Sequence, residues 1–264
     1  MSRIGFAFTL RQTRLALSGQ FMMSIKKARS VVARVRRRLE RTLFPIGNTV
    51  ECPYCGWTGW RFLSSGTVGA GNRLCPGCGS LERYRMLPAI ITREVSQPKP
   101  NVLELAPKAC FTNYCRRHHG WSYTSSDLSS PTAMVHADLR KMPFETGTFD
   151  LIVIFHVMEH IIEDDVAFRE IARMLRPDGL AIICVPIFGD VTQEGAPEAD
   201  WERVYGQVDH VRVYGFDVEE RIRAAGLVPN RIDTLEYFSR EEFVRHALGG
   251  DDRYLFLARK EPTT

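Results

Sequence analysis

The segment Phe149–Ile161, FDLIVIFHVMEHI, most constrains what this chain can fold into, because it is apolar at every position from Leu151 to Phe155 and then breaks at His156. A strand with one wet face alternates apolar and polar residues. A run without alternation is buried on both faces, as the central strands of a parallel sheet are. Two runs upstream end in the same way: NVLEL (Asn101–Leu105) carries Glu104 near its end, and WSYTSSD closes on Asp127, 23 positions after Glu104. Helical patterns lie between these runs, which argues for βαβ units. A sheet of that kind takes its ligand beyond the carboxyl ends of the strands, where strand order reverses. Glu104, Asp127 and His156 fall at such ends.

The flanking pattern extends this reading. Leu81–Val95 predicts a helix capped by Ser80, and the prolines of QPKP (Gln97–Pro100) end it. Arg83 and Arg85 are read either as surface charges or as the lining of a shared groove. After the Arg169–Leu175 helix, PDG (Pro177–Gly179) predicts a turn into a strand over Leu180–Pro186. The acidic stretch 188–208, with Asp190, Glu194, Glu198, Asp200 and Glu202, has the length of a lid loop. A helix over Asp217–Ala225 and strands over Arg231–Tyr237 and Arg253–Arg259 follow.

Four of the seven cysteines, Cys52, Cys55, Cys75 and Cys78, form a C-x2-C-x19-C-x2-C pattern. Two such pairs on turns complete a tetrahedral thiolate shell, and a closed four-thiolate shell makes the zinc structural. The glycines Gly56 and Gly79 are expected to free backbone N–H groups toward sulfur. Trp57, Trp60 and Phe62 supply apolar contacts to this zinc ribbon. Thiols kept for metal imply a reducing, cytoplasmic setting. Cys184, inside a strand run, reads as a small buried apolar residue.

Charge is unevenly spread. Residues 1–50 hold 11 Lys/Arg against Glu40, a local +10 within a total of +4, so the other 214 residues carry −6. That disfavours a catalytic part that grips nucleic acid along its own face. Residues 1–21 lack the apolar core of a secretory signal and are read as an optional tail before Met22 or Met23. Ile25, Ala28, Val32, Val35 and Leu39 share one face of a predicted basic amphipathic helix, which is expected to offer peripheral contact to an anionic membrane surface. No run is long and apolar enough to span a bilayer.

MPFETGTFD (Met142–Asp150), HVMEH (His156–His160) and RMLRPDGLAIICVP (Arg173–Pro186) together resemble the class I S-adenosylmethionine-dependent methyltransferases of the small-molecule branch, here with an amino-terminal zinc ribbon. The resemblance covers roughly 100–260. It implies a Rossmann-like seven-stranded α/β sheet with an antiparallel edge hairpin. The division that follows is a basic arm and helix (1–48), zinc ribbon (49–80), linking helix (81–99) and methyltransferase domain (100–264). The cofactor would meet Glu104, Ala106, Pro107 and Phe155. Asp127 and Leu128 would hold its ribose, Asp138 its adenine amino group, and Leu139 an apolar face.

The chain departs from the family at Ala106–Ala109, which has no glycine where the family has a glycine-rich turn. A subset with a similar ribbon has Ala-Pro there, and DHVRVYG (Asp209–Gly215) also resembles that subset. His156 and His210 are the candidate bases, and Arg212, Tyr214 and Glu159 candidate acceptor contacts. His156, Glu159 and His160 look like part of a metal triad. No further ligand follows at a recognised spacing, so no metal is assigned to them, and His160 is read as a buried orienting residue. The implied activity is methyl transfer to a small-molecule or sugar-linked acceptor. Its rivals are an RNA methyltransferase that recognises RNA through the ribbon, and a catalytically dead zinc-ribbon adaptor. Nucleic acid is the less favoured partner, and the sequence is silent on oligomeric state.

Overall fold

A computed structural model describes residues 47–65 and 71–260. The expected amphipathic helix and its membrane contact fall in residues 1–46, outside the described residues. The strands, in chain order, are β1 (Val50–Glu51), β2 (Thr58–Gly59), β3 (Asn101–Leu105), β4 (Ser122–Asp127), β5 (Val135–His136), β6 (Phe149–Phe155), β7 (Leu175–Cys184), β8 (Gln193–Glu194), β9 (Arg212–Val213), β10 (Leu227–Asp233) and β11 (Tyr254–Lys260). Seven of them form one sheet in the order β10-β11-β7-β6-β3-β4-β5. β3, β4, β5, β6 and β7 run parallel, and β11 lies antiparallel between β7 and β10. This is the Rossmann-like sheet with an antiparallel edge hairpin.

All seven residues of β6 are buried. Successive side chains of a strand point to opposite faces, so β6 feeds two apolar layers. Leu151, Val153 and Phe155 face a layer that also contains Val50, Tyr54, Phe62, Tyr84, Leu87 and Ile90. Ile152 and Ile154 face the other, built with Phe168 and Ile171 of the Asp164–Met174 helix and Ile222 of the Val218–Ala224 helix. The cysteine-bearing module and the segment after it thus cover one face of the sheet.

Several elements differ from the sequence reading. The helix expected over Leu81–Val95 is two, Glu82–Arg85 and Leu87–Glu94. Ser80 caps neither, because its Oγ lies 3.4 Å from Cys52 Sγ and 3.3 Å from Cys78 Sγ. The strand expected over Arg231–Tyr237 is β10, which ends at Asp233, and Thr234–Tyr237 is a helical turn capped by the Asp233 side chain. PDG is not a separate turn but part of the long β7, with a register shift against β6 between Phe149 and Leu151. A Cβ on Gly179 would meet the Phe149 carbonyl oxygen at 3.0 Å, so close backbone approach is what this glycine provides. The stretch 188–208 contains β8, paired to β9, and the Trp201–Tyr205 helix.

Arg85 is neither of the alternatives the sequence offered. It is 1% exposed and donates to four carbonyls: Arg73 at 2.7 Å, Ser80 at 3.0 Å, His246 at 2.6 Å and Ala247 at 2.8 Å. Its guanidinium also lies 4.0 Å from the centroid of the Phe62 ring. One side chain therefore ties the cysteine module to the loop before β11. Replacing it by methionine fills the space but strands those carbonyls, an expected loss of about 3 kcal/mol. Urea unfolding checks this through a lower midpoint at unchanged slope.

Candidate cofactor and active site

The ends of β3 and β6 lie side by side, since Leu105 pairs with Ile154. Each ladder is extended by one hydrogen bond before the chain turns away: Ala106 N–H donates to Ser126 O at 3.0 Å, and His156 N–H to Cys184 O at 2.9 Å. At that point both residues adopt left-handed backbone, Ala106 with φ 52° and His156 with φ 55°. Alanine here takes the conformation for which glycine was expected, a strained state that persists only where surroundings enforce it. The Lys108 N–H closes the turn on Glu104 Oε1 at 2.9 Å, and Tyr123 O–H donates to Glu104 Oε2 at 2.5 Å.

A cavity of about 610 Å³ opens beyond these strand ends. Of the residues singled out from the sequence, Ala106, Asp127, Leu128, Asp138, Leu139 and His156 line it. Asp127 is half-buried and receives the Ser129 and Ser130 N–H groups, at 2.8 and 2.7 Å, both on Oδ1. Among the described residues no hydrogen bond engages its Oδ2. Asp138 is held by Arg140, whose Nε lies 3.0 Å from Oδ1, and this guanidinium keeps its carboxyl below the usual range. Arg140 in turn pairs with Glu163.

Other expected contacts lie elsewhere. Glu104 is fully buried beneath the Ala106–Lys108 turn and, like Pro107, is absent from the cavity wall. Phe155 points to the opposite face, its ring centroid 5.2 Å from that of Tyr84, because alternation along β6 sends it there. Tyr214 is wholly buried and donates to Asp164 Oδ2 at 2.7 Å. Arg212 is 4% exposed; it donates to Glu194 Oε2 at 2.8 Å, to Ile162 O at 2.7 Å and to Ile161 O. These two fasten the 209–214 segment to the turn after β6 instead of facing an acceptor. None of the 188–208 residues lines the cavity, and most of the stretch expected as a lid is exposed.

His156 is no base. Burial pulls its pKa down, but hydrogen bonds to Asp252 and Cys184 and the neighbouring Glu159 carboxylate outweigh that and lift it to about 12. Its Nε2 lies 2.8 Å from Asp252 Oδ1, and the other oxygen of Asp252 receives Arg83 at 2.9 Å. His210 is 4% exposed and off the cavity wall, and burial pulls its pKa down. Glu159 is completely buried in the Met158–His160 turn. His160, expected to be buried, reaches the surface and lines the cavity beside Asp209. Asp252 and Arg140 were missed from the sequence. Asp252 lies 96 residues from its partner His156, and nothing local signals that pairing.

Cys52, Cys55, Cys75 and Cys78 converge, with Cys52 Sγ 3.5 Å from Cys78 Sγ and Cys55 Sγ 3.6 Å from Cys75 Sγ. Sulfurs about 2.3 Å from a common tetrahedral ion lie about 3.8 Å apart, so these positions fit a thiolate-bound metal. The two knuckles repeat one geometry: Gly56 N–H donates to Cys52 O and Gly79 N–H to Cys75 O, each at 2.9 Å. The glycines therefore bond carbonyls. The N–H groups that reach sulfur belong to Cys55, Trp57 and Cys78. Both glycines have positive φ, 69° and 75°.

Residues 101–183 match the family described as a methyltransferase domain. A sterol 4-C-methyltransferase of Caenorhabditis elegans is 34% identical over 61 residues, 23% of this chain and 18% of that protein. A demethylmenaquinone methyltransferase of Mycolicibacterium vanbaalenii is 27% identical over 104 residues, 35% of this chain and 46% of that protein. The chain thus spans less than half the length of either curated relative. Among solved structures, the 1,6-didemethyltoxoflavin-N1-methyltransferase of Burkholderia thailandensis, with 1,6-didemethyltoxoflavin and S-adenosylhomocysteine bound, has TM-score 0.47 at 16% identity over 66% of this chain and 76% of that one. A sarcosine dimethylglycine methyltransferase assigned in Galdieria sulphuraria has TM-score 0.49 at 14% identity over 69% and 85%.

Glu104 makes stability depend on pH. Burial raises its pKa from 4.5 to about 8, against the opposing hydrogen bonds from Tyr123 and Lys108. The unfolded chain then loses this proton near pH 4.5 while the folded chain keeps it, so the contribution is present below 4.5 and is lost as pH rises to about 8. Glu104→Gln removes that slope. Urea unfolding at pH 5 and pH 8 is expected to show the variant gaining about 2–4 kcal/mol relative to wild type at the higher pH. An unchanged difference between the two pH values shows that Glu104 does not hold its proton.

Proposed function

We propose that this chain is an S-adenosylmethionine-dependent methyltransferase acting on a small-molecule acceptor, with a structural zinc in its cysteine module. The observation that carries this reading is the cavity beyond the β3 and β6 ends, at the place where strand order reverses, with Asp127 at the end of β4 in its wall. The methyltransferase-domain match over 101–183 covers the strands that form it.

S-adenosylmethionine, when bound, supplies an electrophilic methyl on a sulfonium. The residues present fit that group. Ala106, with its small side chain and left-handed backbone, lets the chain approach closely, and Asp127 Oδ2 is available to ribose hydroxyls. Asp138 and Leu139 offer a polar edge and an apolar face to adenine. His156, whose two ring nitrogens face the Asp252 and Glu159 carboxylates, is held protonated and does not suit proton abstraction. Rate then comes mainly from holding the nucleophile in line with the methyl where water is excluded.

Leu128 and Ile162, 72% and 63% exposed, edge the cavity with apolar surface, which favours an acceptor with an apolar part. The sterol and demethylmenaquinone named for the two curated relatives are of that kind. The mildly acidic catalytic part weighs against RNA. Among the described residues no helix is long and apolar enough to cross a membrane.

Calorimetric titration with S-adenosylmethionine and S-adenosylhomocysteine is expected to show one site per chain. Asp127→Ala should weaken both about tenfold to hundredfold. A wild-type chain that binds neither is a scaffold, and this reading falls. Metal analysis of the purified chain is expected to find zinc that Cys75→Ser releases.

A further inference from the structure

Next to the cavity, the structure gathers groups that the sequence spacing did not connect. Glu159, His160 and His210 each bring one ligand atom to within 4.8 Å of the others. Glu159 and His160 come from the turn after β6. His210 arrives from 50 positions downstream, fixed by the Val211 N–H bond to Glu159 O at 2.9 Å.

Two of these side chains carry buried polar atoms without a hydrogen-bond partner among the described residues. Neither carboxylate oxygen of Glu159 has a hydrogen bond, although the residue is fully buried. His156 Nδ1 approaches Glu159 Oε1 to 3.1 Å without the angle a hydrogen bond needs. His210 Nδ1 is likewise buried and unpaired. Buried polar atoms left in this state are costly, and Glu159 Oε2 and His210 Nδ1, which have neither a hydrogen bond nor an ion pair, call for a further partner.

One nitrogen of the His160 ring is already engaged. His160 Nδ1–H donates to Asp209 O at 3.0 Å, which leaves its Nε2 lone pair free. Metal-bound histidines are oriented in this way, by a carbonyl accepting the other ring N–H. The Tyr205 backbone lies beside the His210 ring. Ligand atoms about 2.1 Å from one ion lie about 3.0 Å apart at right angles and about 4.2 Å apart when opposite, so side-chain adjustment would draw this set onto one ion.

We propose that Glu159, His160 and His210 bind a divalent first-row transition-metal ion in the cavity wall. Two imidazoles and one carboxylate leave coordination positions open. His160 and Asp209 belong to the cavity wall, so those positions face the space assigned to the acceptor. Resting on the methyltransferase reading, the ion would take a hydroxyl of the acceptor and lower its pKa, the proton leaving to solvent. The oxygen lone pair then forms the O–C bond as the S–C bond breaks, and that electron pair stays on sulfur as neutral S-adenosylhomocysteine.

The test is Mn²⁺ titration of the full chain with its thiolate-bound zinc retained, following free Mn²⁺ by electron paramagnetic resonance and bound Mn²⁺ by water-proton relaxation. One Mn²⁺ per chain with enhanced relaxation is expected, the enhancement reporting open positions. Glu159→Gln, His210→Gln and His160→Gln should each weaken binding about tenfold or more, and His119→Gln should not. His160 is at the surface, so its variant is informative even if the buried ones fail to fold. Absence of Mn²⁺ binding, or binding unchanged in His160→Gln, overturns the site. Binding without relaxation enhancement overturns the acceptor role. Metal bound without S-adenosylhomocysteine defeats the methyltransferase reading and leaves the site; the reverse result defeats the site alone.

Discussion

β6 has buried side chains on both faces, and the rest of the molecule is arranged around that constraint. Its neighbours β3 and β7 must satisfy its backbone in parallel, and two separate apolar layers must cover it. Polar side chains can then enter only where the strand stops. His156 is the first residue past that point, and its left-handed backbone, matched by Ala106 just after β3, turns both segments aside at the cavity. The site is a consequence of how the sheet ends.

A second layer of organisation is the cross-linking of distant segments by buried cations. Arg212 and Arg221 converge on Asp164 and Glu194, and this network locks 209–214 against the turn at 158–164. Side chains that look in sequence like acceptor contacts thus set the positions of others. Pairing inside a low-dielectric region explains their absence from the cavity: each charge there needs its partner more than it needs a ligand. Asp252, itself paired to Arg83, does the same for His156 and holds it charged.

The cysteine module has a packing role as well as a metal-binding geometry. Val50, Tyr54 and Phe62 belong to the same apolar layer as Leu151 and Val153, so the module closes one face of the sheet. Arg85 joins it to the loop before β11 through carbonyls on both sides. A small module of this size has little core of its own, and sharing a core with the sheet offsets that shortage.

The parallel sheet, the edge strands and the two cysteine pairs were legible because each rests on local pattern: unbroken apolar runs, breaks at a charge, and fixed spacing. Asp127 was found for the same reason, since strand ends point to the ligand side of such a sheet, whereas Asp138 and Leu139, which also line the cavity, came from the family resemblance. Phe155, Tyr214 and Arg212 were misplaced because a strand's alternation settles a face only once its neighbours are known. The partners of His156 and Glu159 were beyond reach for a different reason. Asp252 and His210 come from segments that local pattern does not connect to β6, and only the folding of the chain back across the sheet brings them within hydrogen-bond or ligand distance. Local periodicity decides which elements form, and the long-range closure of those elements decides which charges meet.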